Sequence, residues 1–242
     1  MIPHNENLSD LKISGTGTSS GGQYNKVRID GAGQVNGNLD CEELIGNGTM
    51  SVNGAVAART IRVNGSGSIK GAVDAEELNV AGSLSLKEGL RCRSIVIGGH
   101  CSIHGDSESE RLEVNGNLRS RGDVRSESAT LKGGFKIDGR LHVGTADIRV
   151  FGRCSAQEIV GDRITIRKKG KRLWEMLSLP LKGARVEARI IEGDILDLEY
   201  IEADIVRGNR VILGKGCEVR QVEYRDELTQ HPEAEVKASR RF

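Results

Sequence analysis

Apolar residues return along this chain at two nested spacings, every second residue within short runs and every seventeenth residue between runs. Val27 and Ile29 are two apart before Gly31 interrupts, Gly33 and Val35 are two apart before Gly37, and Leu39 and Cys41 are two apart before Glu42 and Glu43. Alternation by two is the β-strand period, with one set of side chains inward and the other in solvent. Three short strands separated by turn residues predict a three-sided coil, with sides of six, six and five residues. Glycine at two of the corners fits sharp bends that need positive φ or a close backbone approach.

The longer spacing sets the architecture. Gly31, Gly48, Gly65, Gly82, Gly99, Gly116 and Gly133 each follow the last by 17 residues, and Val27, Leu44, Ile61, Leu78, Ile95 and Leu112 keep the same step. A fixed period of this length is the mark of a solenoid. A strand this short cannot satisfy its own backbone, so it must pair with its counterparts above and below. The predicted fold is all-β: a single-stranded parallel β-helix of about 17 residues per coil, rising ~4.8 Å per coil into a rod of ~60 Å.

The register also divides the chain. Leu11, Ile13, Gly15 and Gly17 repeat the Val27, Ile29, Gly31, Gly33 pattern one residue short, so residues 11–26 form a first, polar coil. The strict pattern fades after Ile148 and returns as Ala188, Ile205 and Val222, and as Leu196 and Leu213, again in steps of 17. The expected organisation is a flexible N-terminus over 1–10, a β-helix over 11–225 interrupted at about 167–183, and a flexible tail over 226–242. A solenoid end exposes unpaired N–H and C=O groups above an open core, which invites contact unless capped. Leu11 and Ile13 at one end, and Val219, Val222 and Tyr224 at the other, are the candidate polymerisation residues.

Composition narrows the function. Glycine numbers 32, proline 3, and aromatics are 3%, so narrow aliphatic ladders must replace the aromatic bulk of an ordinary core. Lys+Arg (35) and Asp+Glu (34) nearly cancel, which removes the electrostatic case for nucleic acid and leaves little self-repulsion to oppose assembly. No apolar run reaches the ~18 residues that cross a bilayer. Met1 to Asp10 lacks a signal peptide's basic start and apolar centre, so a cytoplasmic location is expected.

Candidate chemistry is sparse. Cys41 and Cys92 share a column three coils apart, ~14 Å by strand spacing and too far for a disulfide; no CxxC occurs, and all five cysteines read as small hydrophobes. His100, Cys101 and His104 form the one close metal-like cluster, but alternation turns Cys101 inward and both histidines outward. The acidic pairs Glu42–Glu43 and Glu76–Glu77 recur with the repeat and read as solvated turns. No GxxxxGK[ST] loop, GxSxG motif or Ser/His/Asp arrangement appears, so no catalytic, cofactor or metal site is expected and the chain does not read as an enzyme. Ser107, Ser109, Ser120 and Ser126 occupy inward columns, where either the core loosens or the register shifts. The interruption RKKGKRLWEMLSLPLKG (167–183) joins a basic run to apolar residues. Lys168, Lys169, Lys171, Arg172, Leu173, Trp174 and Leu177 would suit docking to an anionic membrane or a partner, or a loop covering one face.

The units VNGSGSIKGAV (63–73) and VRIDGAGQVNGNL (27–39), with KISGTGTSSGGQYNKVRIDG (12–31) and VRGNRVILGKGCEVRQVEY (206–224), resemble bactofilins, in particular the longer members of spore-forming Gram-positive bacteria. The resemblance implies a right-handed β-helix and a structural cytoskeletal scaffold whose copies join end to end into nucleotide-independent filaments without polarity. It also implies a homopolymer, or a co-polymer with a paralogue, that organises envelope or motility-apparatus proteins in cell shape, division or motility at the inner face of the cell membrane. Two readings compete. One is a hexapeptide-type acyltransferase on a left-handed β-helix, although the five-residue side breaks its rule of six. The other is a non-polymerising envelope- or carbohydrate-binding module, for which aromatic shelves are nearly missing.

Overall fold

The computed structural model describes residues 8–150, 152–168 and 183–242. The chain divides into two compact units, Met1–Ser109 and Glu110–Phe242. The first holds β1 (Leu11–Ile13), β2 (Thr16–Ile29), β3 (Ala32–Gly46), β4 (Thr49–Asn53), β5 (Val56–Val63), β6 (Ser66–Ile69), β7 (Val73–Val80), β8 (Ser83–Leu86), β9 (Leu90–Ile97) and β10 (His100–Ile103). The division falls within β11 (Ser107–Val114). The second holds β12 (Asn117–Ser120), β13 (Val124–Leu131), β14 (Gly134–Val150), β15 (Arg153–Lys168), β16 (Arg185–Leu198), β17 (Ile201–Leu213), β18 (Glu218–Gln230) and β19 (Glu235–Arg241). The described residues contain no helix. Each unit is a parallel β-solenoid, and the two together make about 13 turns of about 17 residues.

In the first unit the columns stand as the spacing predicts. Leu11 pairs with Val27, one residue short of the common step. Val27 pairs with Leu44, Leu44 with Ile61, Ile61 with Leu78 and Leu78 with Ile95. All but Leu11 are buried, at 2% exposure or less. The glycine column has a steric cause. A Cβ on Gly48, Gly65, Gly82 or Gly99 would lie 2.0–2.1 Å from the carbonyl oxygen of the glycine one coil earlier. Backbone meets backbone at this corner, and only glycine leaves room. Gly37, at a second corner, instead takes a φ of 109°, a left-handed conformation that glycine enters without penalty.

The second unit keeps parallel pairing but varies its step. The inward serines hold register: Ser120 pairs with Ile137 and Ser126 with Val143. Ser120 Oγ donates to Gly122 O at 3.1 Å and Ser126 Oγ to Ser128 O at 2.9 Å, so these hydroxyls stay satisfied while buried. Cys154 pairs with Val186 across the interruption. The expected 17-residue steps after it are corrected. Ala188 pairs with Ala203 and Leu196 with Val211, steps of 15, and Ala203 pairs with Val219, a step of 16. Tyr200, at φ 52°, turns the shortened corner between β16 and β17.

The flexible tail expected over 226–242 is also corrected. β18 runs to Gln230, and β19 stacks on it with Val236 over Val219 and Arg240 over Glu223. Backbone pairing and ion pairs hold this last coil, so its polar composition does not prevent order. Residues 8–10 of the expected N-terminal segment precede the first strand, with Asn25 N donating to Ser9 O at 3.1 Å.

Candidate association edges

The coil at the N-terminal side is built from small and polar residues. Leu11 is half-buried and Ile13 is 9% exposed, while the following inward positions carry Gly17 and Ser19. Tyr24 OH donates to Ser20 O at 3.3 Å. Among the described residues the Thr16–Tyr24 stretch of β2 pairs on one side only, with β3, and carries no charged side chain. Among the described residues that other edge has no partner strand, and it carries none of the charges that commonly guard an edge strand.

The last coil of the second unit is different. Val219 and Val222, nominated above as end residues, are 3% and 0% exposed and lie one coil inside, beneath β19, with Tyr224 half-buried. The side chains that secure β19 form a charge ladder of one residue per coil: Glu192, Arg207, Glu223 and Arg240. Arg207 reaches Glu192 at 3.2 Å and Glu223 at 2.6 Å, and Arg240 reaches Glu223 at 2.7 Å. Gln221 Nε2 donates to the same carboxylate at 2.6 Å. The hydrogen bond from Arg207, reinforced by the charges of Arg207 and Arg240, holds the 5%-exposed Glu223 carboxyl below its usual range. Arg241 Nε donates to Arg225 O at 2.7 Å, and the Arg225 guanidinium lies 5.6 Å from the Phe242 ring centre.

The chain is 54% identical over 235 residues to the uncharacterized protein YhbE of Bacillus subtilis (strain 168), a match covering 96% of this chain and 98% of that one. The chain belongs to the YhbE family. A second B. subtilis relative, the uncharacterized protein YhbF, is 35% identical over 81 residues, which are 34% of this chain and 32% of that protein. No family model matches the YhbE-family chain, and no solved structure matches it.

Lys168 lies at the end of β15, its Nζ 4.5 Å from the Tyr200 ring centre, while Lys169, Lys171, Arg172, Leu173, Trp174 and Leu177 fall outside the described residues. Cys101 is buried and His100 exposed, and His104 Nδ1 lies 2.9 Å from Leu86 O. Among the described residues no group of three or more His, Cys, Asp and Glu is arranged as metal ligands. The acidic pair Glu42–Glu43 is neutralised by neighbours in adjacent coils: Glu42 by Arg59 at 2.9 Å, and Glu43 by Lys26 at 2.6 Å and by Arg62. An open groove of about 1020 Å³ in the second unit runs along the Ala156, Ala188 and Ala203 column, and its Glu202 and Glu218 are paired with Arg185 at 2.6 and 3.4 Å. No helix among the described residues is long and apolar enough to cross a membrane.

Sequence reasoning missed β19 and the Glu223 cluster. The signal was present as alternation of charge rather than of hydropathy, at steps of 15, 16 and 17 that a search for one period passes over.

Proposed function

We propose that this YhbE-family chain is a structural scaffold of the bactofilin kind, which self-assembles end to end through its terminal coils without nucleotide. On this reading it takes no cofactor, catalyses no reaction, and works in the cytoplasm beside the envelope machinery it organises. The observation that supports the reading most is the uncharged Thr16–Tyr24 edge on the first full coil. A parallel solenoid satisfies each coil's backbone with the next coil, and such an edge offers the same pairing to another chain. Its low charge is useful to a protein meant to associate and hazardous to one meant to stay single.

Sedimentation velocity across protein concentration and salt, with no nucleotide present, tests this. The expected result is a concentration-dependent series of larger species. Thr16→Lys with Thr18→Lys places two charges on the exposed edge and is expected to abolish that series while leaving the strand signal in circular dichroism unchanged. A single species at every concentration, or assembly that ignores the two lysines, would overturn the reading.

A further inference from the structure

The coil formed by β18 ends in apolar inward positions: Cys217, Val219 and Val222 are 0%, 3% and 0% exposed. What covers Val219 and Val222 is β19, whose inward positions turn polar after Val236. Val236 stands over Val219, but Ser239 stands over Val222 and Arg241 over Tyr224, and both Ser239 and Arg241 are exposed. A strand of this composition cannot extend the core; it closes it, as terminal repeats of solenoids do. β19 also carries Lys237, Arg240 and Arg241, charges that discourage a further strand from adding to it.

We infer that β19 is a releasable cap, and that the edge it occupies on β18 is the surface on which a second copy of this chain docks. This rests on the self-association proposed above. The attachment of β19 suits release. Beyond backbone pairing, β19 and its connection are held by Arg240 to Glu223, by Arg241 to the Arg225 carbonyl, by the Arg225 guanidinium over the Phe242 ring, by Gln230 Nε2 to Ala234 O, and by Lys215 to Glu233 at 3.2 Å. The Lys215–Glu233 pair is exposed on both sides, and such pairs hold weakly; the Arg240 side chain that reaches the buried Glu223 carboxylate is itself exposed. The connection from β18 to β19 is a turn at His231–Pro232–Glu233, closed by Ala234 N donating to His231 O at 2.9 Å, so the strand can swing as a unit. The edge it leaves fits another coil of this same repeat, since it already accepts one in register, with Val236 seated over Val219. With β19 closed the end is guarded; with β19 open, an apolar rung and an unpaired backbone edge face outward.

The test uses the full chain in two variants. Gln221 and Ala238 are directly paired neighbours on β18 and β19, and strand neighbours ~4.8 Å apart lie within reach of a disulfide. Gln221→Cys with Ala238→Cys therefore locks the cap when oxidised. Arg240→Glu sets a carboxylate against Glu223 and loosens it. Light scattering then reads the concentration at which assembly begins. The oxidised lock is expected to raise that concentration about tenfold, dithiothreitol to restore it, and Arg240→Glu to lower it by a similar factor, each the equivalent of ~1.4 kcal/mol. If wild type assembles and the oxidised and reduced lock assemble alike, the cap is overturned while self-association stands. If wild type, reduced lock and Arg240→Glu all remain single chains, self-association itself is overturned and the cap with it. Should Arg240→Glu fail to fold, the lock decides alone.

Discussion

The carbonyl oxygen of Gly48 lies 2.1 Å from where a Cβ on Gly65 would stand. Neither atom can yield without moving backbone that is hydrogen-bonded to the coils on both sides, with Ser66 N donating to Gly48 O and Ser83 N to Gly65 O. Repetition of this contact is why the glycine column is the most regular feature of the chain.

Gly65→Ala is therefore expected to destabilise the fold by about 3 kcal/mol, the upper range for forced overpacking. Gly15→Ala is the matched control, because a Cβ there meets nothing within 4 Å. It is expected to be neutral or to stabilise by about 0.5 kcal/mol through the unfolded chain. Urea midpoints for the two variants check the difference, and equal midpoints would contradict the steric account.

Regular columns of this kind were legible from residue spacing because every coil from Val27 to Ile97 repeats them. The shortened first coil was legible too, since Leu11 and Ile13 stand over Val27 and Ile29. The steps after the interruption were not. Pairing Leu196 with Leu213 or with Val211 differs by two residues, and a shift of two leaves every side chain on the same face. Hydrophobic pattern cannot separate the two; corner geometry does, through the tight turn at Tyr200. The last coil escaped for another reason, since its order rests on backbone pairing and on Glu223 with its two arginines.

Acid should loosen that last coil first. The Glu223 carboxyl, ordinarily near 4.5, is held lower in the folded chain by Arg207 and Arg240. A depressed folded value means that its contribution to stability is fully present above about pH 4.5 and is lost as the pH falls through the lower folded value. Glu43, lowered by Lys26, and Asp30, lowered by Arg28, act in the same direction. Amide protection in β19, measured relative to intrinsic exchange at each pH, is expected to fall below about pH 4.5 in wild type. In Glu223→Gln that protection is expected to be lower at pH 7 and to depend less on acid. Identical pH profiles for the two proteins would contradict the role given to the carboxylate.

The cysteines should be inert in the folded chain. Burial pushes the Cys101 thiol up to about 12 and the Cys217 thiol up to about 11; Cys41 rises to about 12 by burial and, to a lesser degree, its acidic neighbours. Thiolate is the reactive form, and these groups remain thiols at pH 8. Mass spectrometry after brief iodoacetamide treatment is expected to find them unmodified in the native protein and fully modified in guanidinium. Rapid native labelling of Cys101 would place it outside the core.

Joining of copies through terminal coils is tested most directly by negative-stain electron microscopy of the purified chain with no nucleotide added. Particles that join into progressively longer assemblies as protein concentration rises are the expected result. Isolated single particles of one size at every concentration and ionic strength would contradict it.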